Sequence, residues 1–269
     1  MPKSVEKIPR GLDAAWHGTI GRLRRLIPHH EIYLRYADKI SRIEGTGISD
    51  GSLKRRLARL AIPFHLGRDS RKDRVLAAAA IREVIRRETG MRLFPVQLAG
   101  GLALYDGLLV EMATGEGKSV TATVPAIMHA WRRRGCHIIT VNDYLARRDA
   151  EEFEKVYALA GLSVGYIDQE MPPDQRRRAY AMDITYATNK EVCADYLRDQ
   201  LQRPRSPDWR ERAMTGVQKA SGVQRGLFSA IIDEADSVLI DEAVTPLIIS
   251  GDAGNAEQTQ AYPNFPLAF

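Results

Sequence analysis

Apolar positions along this chain change period near residue 93, and the change divides it into two kinds of structure. Before that point they recur at helical spacing. Leu53, Leu57 and Leu60 stand at i, i+4 and i+7 among Lys54, Arg55, Arg56 and Arg59, an apolar stripe with a basic back. A glycine-containing break, Gly45 to Gly51, precedes that helix. A second helix is predicted from about Asp69 to Thr89, with Val75, Leu76, Ala79, Ile81, Val84 and Ile85 apolar and Gly90 as its C-cap. Leu23, Leu26 and Ile27 keep the same spacing among Arg22, Arg24 and Arg25, until Pro28 ends the stretch.

From Leu93 onward short apolar runs alternate with helical ones. Strands are expected at Leu108–Glu111, His137–Val141, Ser163–Ile167, Ile184–Thr188 and Ser229–Asp233. Helices are expected between them at Lys118–Arg134, Tyr144–Ala160, Pro173–Ala181 and Lys190–Gln200. Such alternation predicts an α/β fold, a parallel sheet flanked by helices, with ligands at the carboxyl ends of the strands. Arg203 to Gly226 has no clear period and reads as a long surface loop, with a helical turn near Trp209–Met214.

Charge follows the same division. Residues 1–92 hold 21 Lys/Arg against 10 Asp/Glu, a net of +11, while the whole chain carries only +5. A basic helical front suggests an acidic partner, nucleic acid or anionic lipid, and equally fits a well-solvated set of helices. No run is apolar enough to span a membrane, and the N-terminus lacks the core of a signal peptide, which points to the cytoplasm. The two cysteines, Cys136 and Cys193, are too few for a disulfide scaffold or zinc site and are expected to be buried thiols.

Two motifs carry the chemistry. Met112-Ala113-Thr114-Gly115-Glu116-Gly117-Lys118-Ser119 reads as a phosphate-binding loop running into a helix near Lys118. Its glycines let backbone amides turn toward phosphate oxygens, Lys118 adds charge for the β/γ-phosphates, and the Ser119 hydroxyl suits Mg²⁺. Ile231-Ile232-Asp233-Glu234-Ala235-Asp236 places two carboxylates at the end of an apolar strand, one for a metal and one for activating water. Each alone also fits a structural role, a chance glycine loop or an acidic helix start. In order, and each directly after an apolar run, they indicate nucleotide hydrolysis.

Several further strings resemble the N-terminal part of SecA, the motor ATPase of bacterial protein secretion. They are Gly90-Met91-Arg92-Leu93-Phe94-Pro95-Val96-Gln97-Leu98, the loop from Glu111 to Ser119, Thr140 to Glu151, Asp183 to Asn189, and Asp233 to Gly251. The resemblance is dense over roughly residues 85–252 and weak before it. It implies a RecA-like P-loop motor lobe binding ATP and Mg²⁺. Gln97 would read the adenine edge, with Met91 and Phe94 near the base, and an amide suits that task because it both donates and accepts. Thr114, Gly115, Glu116, Gly117, Lys118 and Ser119 would hold the phosphates. Asp233 and Ser119 would hold Mg²⁺, partly through water, and Glu234 would be the catalytic base. Asp236, Asp143, Arg147 and Arg148 are candidates for coupling the site to the rest of a motor; the last three equally fit helix-start charges.

Ala113, Ala235 and Val244 depart from the residues expected for the family, and none removes a group assigned to catalysis. The resulting organisation is a basic helical extension over 1–90, a nucleotide lobe over 91–252 and an irregular tail or start of an insertion over 253–269. The resemblance further implies a preprotein-gripping domain after Gly251, and a second lobe whose arginines face the γ-phosphate. The sequence stops at Phe269, before room for either, so a lone, slow ATPase lobe is expected. Unfolded preprotein and a SecYEG-type channel are the implied partners, at the cytoplasmic face of the inner membrane. A nucleic-acid helicase lobe is the first alternative, and the family strings argue against it. A non-catalytic nucleotide-binding regulator is the second.

Overall fold

Four short parallel strands among the described residues, Val164–Tyr166 (β2), Ile184–Thr188 (β3), Cys136–Thr140 (β1) and Ala230–Ile232 (β4) in spatial order, form the sheet of the computed structural model. The structure describes residues 29–43, 49–202, 222–244 and 247. The expected helix around Leu23, the Trp209–Met214 turn, most of the 203–226 loop, the string after Val244 (Leu247 apart) and the tail lie outside these residues. In chain order the elements are α1 (His29–Arg42), α2 (Asp50–His65), α3 (Arg71–Thr89), α4 (Pro95–Tyr105), α5 (Lys118–Ala130) and β1 (Cys136–Thr140). There follow α6 (Asp143–Leu159), β2 (Val164–Tyr166), α7 (Pro173–Ala181), β3 (Ile184–Thr188), α8 (Asn189–Gln202), β4 (Ala230–Ile232), α9 (Ala235–Leu239) and a 3₁₀ turn (Asp241–Val244).

The strands form where buried residues run together. Every residue of β1 and of β3 is buried, as both faces of a helix-flanked parallel sheet demand. Cys136 stands beside Ile184 and Thr140 beside Thr188, while His137 to Ile139 pair with Ala230 to Ile232. In-register parallel strands all point their carboxyl ends the same way, so the turns after β1, β3 and β4 gather at one edge. The helices are set by their caps. Ser70 and Asp73 bond reciprocally at the start of α3, and Gly90, left-handed at φ 73°, ends it. The Asn142 side chain accepts from Leu145 N at 2.8 Å to start α6.

One buried apolar cluster runs from Ala37 and Ile40 of α1 through Leu53, Leu57 and Phe64 of α2 to Ile138 and Ile231 of the sheet. The basic helices therefore pack their apolar stripes onto the same core as the sheet. Phe64 meets Tyr105 and Trp131 edge to face, with ring centroids 5.9 and 5.4 Å away. A polar knot beside them joins three helices: the buried Asp69 carboxylate accepts from Arg74 at 2.8 Å, Arg132 at 3.1 Å and the Tyr105 hydroxyl at 3.0 Å. Two guanidiniums and a phenol satisfy a carboxylate that would be costly to bury alone.

Three expectations are corrected. Leu108–Glu111 is not a strand, because its first amide turns back to Ala103 O at 3.0 Å and none of it joins the sheet. Leu109 is 90% exposed accordingly. Cys193 is exposed rather than buried: it faces outward on α8, while Ala194 and Asp195 beside it face inward. Gly51 belongs to the first turn of α2 rather than to a break. Among the described residues no helix is long and apolar enough to cross a membrane.

His129 lies against the Tyr105 ring, 4.7 Å between centroids, and its Nδ1 has no partner among the described residues. Burial, reinforced by nearby Arg132, pushes its pKa down to about 4 from 6.5. The unfolded chain therefore binds the extra proton first, so this residue costs nothing above pH 6.5 and destabilises progressively as pH falls toward 4. Urea unfolding at pH 7.5 and pH 5 tests this: His129→Leu should lose about 1–2 kcal/mol less stability between the two than the wild type. Equal losses would contradict it.

Candidate nucleotide site

The phosphate loop is held from one side by α4. Pro95 opens that helix, and Gln97 stands in its first turn, buried. Gln97 Oε1 accepts from Phe94 N at 2.8 Å, and its Nε2 donates to Glu116 O at 2.7 Å. One lone pair and one N–H of the amide remain, a donor–acceptor pair of the kind an adenine rim requires. Helices α4 and α5 approach closely at Gly101, where a Cβ would stand 3.1 Å from Val124 Cβ and 3.2 Å from Thr121 O. That approach draws α5, and the loop leading into it, against Gln97.

The loop closes on itself through Glu116, whose N donates to Ala113 O at 3.3 Å while its carboxylate accepts from Ala113 N at 3.2 Å. Gly115 and Gly117 have φ of 83° and 76°, a region that strains any other residue. A Cβ at Gly115 would meet nothing within 4 Å, so the loop faces open space. At Gly117 a Cβ would come within 2.6 Å of Gln97 Nε2. The first amides of α5 have no acceptor within the helix and face the approach of an anion. Lys118 and Ser119 are half-buried, and Thr114, Gly115 and Glu116 are exposed.

The acidic turn comes from the sheet. Asp233 N donates to Ile139 O at 2.8 Å, extending the β1–β4 pairing by one bond, and Asp233 Oδ1 accepts from Glu234 N at 3.0 Å. Glu234 then takes a left-handed conformation, φ 51°, and α9 starts with Val238 N bonded to Glu234 O at 3.0 Å. The reversal leaves the Glu234 carboxylate exposed while Asp233 is half-buried. Burial raises the Asp233 pKa above the usual carboxylate range; the Glu234 amide, Lys118 and Arg148 oppose the rise, and Asp149 adds to it. Lys118 of the loop and Asp233 of the turn therefore lie within electrostatic reach of each other.

The sequence-predicted residues fall into two groups. Gln97 bonds to the loop through Glu116 O, Lys118 acts electrostatically on Asp233, and Glu234 follows Asp233 on the turn, with Met91 and Phe94 exposed in the segment entering α4. Asp143 and Arg147 engage elsewhere: Asp143 accepts from Gln169 N at 3.2 Å and Arg147 pairs with Glu151 at 2.8 Å. Asp149, to which no role was given, is buried beside the site and paired with Arg148 at 2.6 Å. Its signal was available: Asp149 interrupts the apolar stripe Ala146, Ala150, Phe153, Val156 of α6, where an acid needs a reason to be buried. Among the described residues no three His, Cys, Asp or Glu cluster as a metal cage. Ser119 and Asp233 supply too few donors to hold Mg²⁺ by themselves; a metal there would need phosphate and water oxygens to complete its shell.

A left-handed glycine loop opening a helix, facing acids at the carboxyl end of a parallel sheet, defines a RecA-like P-loop nucleotide-binding lobe. The family description "SecA DEAD-like domain" matches residues 28–266. The chain belongs to the SecA family. The match begins well ahead of residue 85, so the helices of the basic front are part of the family's domain, and it runs into the tail. The chain is 54% identical over 175 residues to the protein translocase subunit SecA of Thermosynechococcus vestitus, covering 65% of this chain and 17% of that protein. It is 48% identical over 219 residues to that of Methylococcus capsulatus (81% and 23%) and 44% identical over 232 residues to that of Frankia casuarinae (85% and 22%). It thus spans about a fifth of the length of these relatives. A helicase assignment is not favoured by these likenesses.

Gly117→Ala places a methyl group against Gln97 and forces an alanine into the left-handed region. It should weaken binding of a fluorescent ATP analogue at least about tenfold while circular dichroism stays that of the wild type. Unchanged affinity would show that the loop does not adopt this conformation around phosphate.

Proposed function

We propose that this lobe binds ATP with Mg²⁺ and hydrolyses it, as part of a motor that moves unfolded preprotein through a SecYEG-type channel. The observation that carries the reading is the left-handed glycine loop, held by Gln97 and running into α5 at Lys118, in a chain whose β4 ends in the adjacent acids Asp233 and Glu234. The amides at the start of α5 and Lys118 hold phosphate oxygens. Gln97 offers its spare donor and acceptor to adenine beside Met91 and Phe94. When bound, Mg²⁺ would supply positive charge against the phosphates. Asp233 and Ser119 would hold it, partly through water, and Glu234, exposed on its reversed turn, takes the proton of the attacking water.

The relatives' name, protein translocase subunit, supports the assignment to preprotein export. The net +11 of residues 1–92 supports contact with anionic lipid at the cytoplasmic face of the membrane. An arginine presented to the γ-phosphate by another lobe contributes about 10³–10⁵ in rate to phosphoryl transfer. Where no such arginine reaches the γ-phosphate, hydrolysis by this lobe is slow.

Equilibrium binding and single-turnover hydrolysis separate these roles. Lys118→Ala should weaken ATP binding about 10- to 100-fold, through loss of its charge at the phosphates. Glu234→Gln should bind like the wild type and hydrolyse about 100-fold more slowly. Equal hydrolysis by Glu234→Gln and wild type would remove Glu234 from the chemistry, and turnover at the rate of a complete motor would contradict the need for a second lobe.

A further inference from the structure

The turn that carries Glu234 is held by more than β4. Strand β4 has three residues and, among the described residues, pairs on one side only, with β1. Beyond it the chain reverses at Glu234, makes the five-residue α9 and enters the 3₁₀ turn Asp241–Val244. A helix this short leaves its last carbonyls without partners of its own. Asn189 supplies one. It is the first residue of α8, directly after Thr188 of β3, a strand bonded to both β2 and β1. Its Nδ2 donates to Val238 O at 3.2 Å and to Glu242 Oε2 at 3.3 Å. Its own Oδ1 accepts from Lys190 N at 2.8 Å, which fixes the side chain's direction. Lys190 Nζ meets the other Glu242 oxygen at 2.9 Å. Asn189 and Lys190 thus grip both oxygens of one carboxylate, and Asn189 also caps α9.

We propose that Asn189, with Glu242 and Lys190, is a positioning clamp for the catalytic turn: it ties the far end of α9 to the end of β3 and so fixes where Glu234 aims its carboxylate. The clamp rests on the reading of Glu234 as the base. Glu234 occupies a backbone conformation that a non-glycine residue leaves unless its surroundings hold it. Its helical restraint among the described residues is the bond from Val238 N, and Val238 is the residue whose carbonyl Asn189 holds. Releasing that carbonyl frees the turn without touching the phosphate loop. Nucleotide affinity is then retained while the base is misaimed.

Asn189→Ala, Asn189→Asp and Glu242→Gln test the clamp in the full chain, with hydrogen exchange and single-turnover hydrolysis as readouts. Asn189→Asp keeps the shape and removes the donor, so it should behave as Asn189→Ala does. In both, exchange at the Val238 and Ile240 amides should quicken about tenfold, with no change in β1 or β3, and without any nucleotide present. Hydrolysis should slow about tenfold at unchanged ATP affinity. Glu242→Gln, which still accepts from Asn189, should fall between these and the wild type. Adding Asn189→Ala to Glu234→Gln should slow hydrolysis no further, because the clamp acts through that carboxylate. Unchanged exchange at Val238 overturns the clamp, as does a fall in affinity equal to the fall in rate, or an additive double variant. If Glu234→Gln itself leaves hydrolysis intact, the assignment of the base is at fault and the proposal falls with it.

Discussion

The bond from Asp233 N to Ile139 O, 2.8 Å long, sets the geometry on which the site depends. It is the last rung between β1 and β4, and it places Asp233 at the sheet's carboxyl edge. One residue later the chain turns left-handed, so two adjacent acids leave the strand in different surroundings. Asp233 stays partly buried near Lys118, and Glu234 faces solvent. Neighbouring carboxylates on a regular strand would alternate between the two faces of the sheet. Here the reversal separates their environments at the strand end instead. The cost of holding a glutamate in that conformation, about 1–3 kcal/mol, is borne by the bonds around it.

The opposite wall is built by close approach. Gly101 lets α5 lie against α4, and Gln97 then reaches the loop with both ends of its amide engaged. Behind these walls the basic helices share the sheet's core, and the Asp69 knot joins α3, α4 and the end of α5. The charge of the front segment thus sits on the outer side of helices whose inner side is part of the nucleotide lobe. Arg176 plays a comparable part at the other side of the sheet. Buried, it joins Asp195 at 2.9 Å and Glu191 at 2.5 Å and donates to the carbonyls of Asp168, Gln169 and Met171, so that α7 and α8 are locked beside β3.

What the sequence revealed followed local chemistry. The glycines of the loop, the strand-like runs of β1 and β3, and the cap at Gly90 each act within a few residues, and all could be placed in advance. Leu108–Glu111 looked like a strand because it is apolar, yet a strand is defined by a neighbour that a run of residues does not name. The buried place of Gln97 depends on Glu116, nineteen residues on, and became legible through family resemblance rather than through period. Cys193 was misjudged because which face of α8 turns inward is set by Ala194 and Asp195 against the sheet side. Asp149 was legible as an acid on an apolar stripe. Asn189 was not, since its partners lie some fifty residues away.

The central claim is that the glycine loop and the acidic turn are two halves of one nucleotide site. Hydrogen exchange of the wild-type chain, with and without Mg²⁺ and a slowly hydrolysed ATP analogue, tests it most directly. The account predicts that the nucleotide slows exchange at Thr114 to Ser119 and at Glu234 to Val238 together, over one range of concentration. Protection of the loop alone, or of neither segment in a folded chain that is saturated with nucleotide, would contradict it.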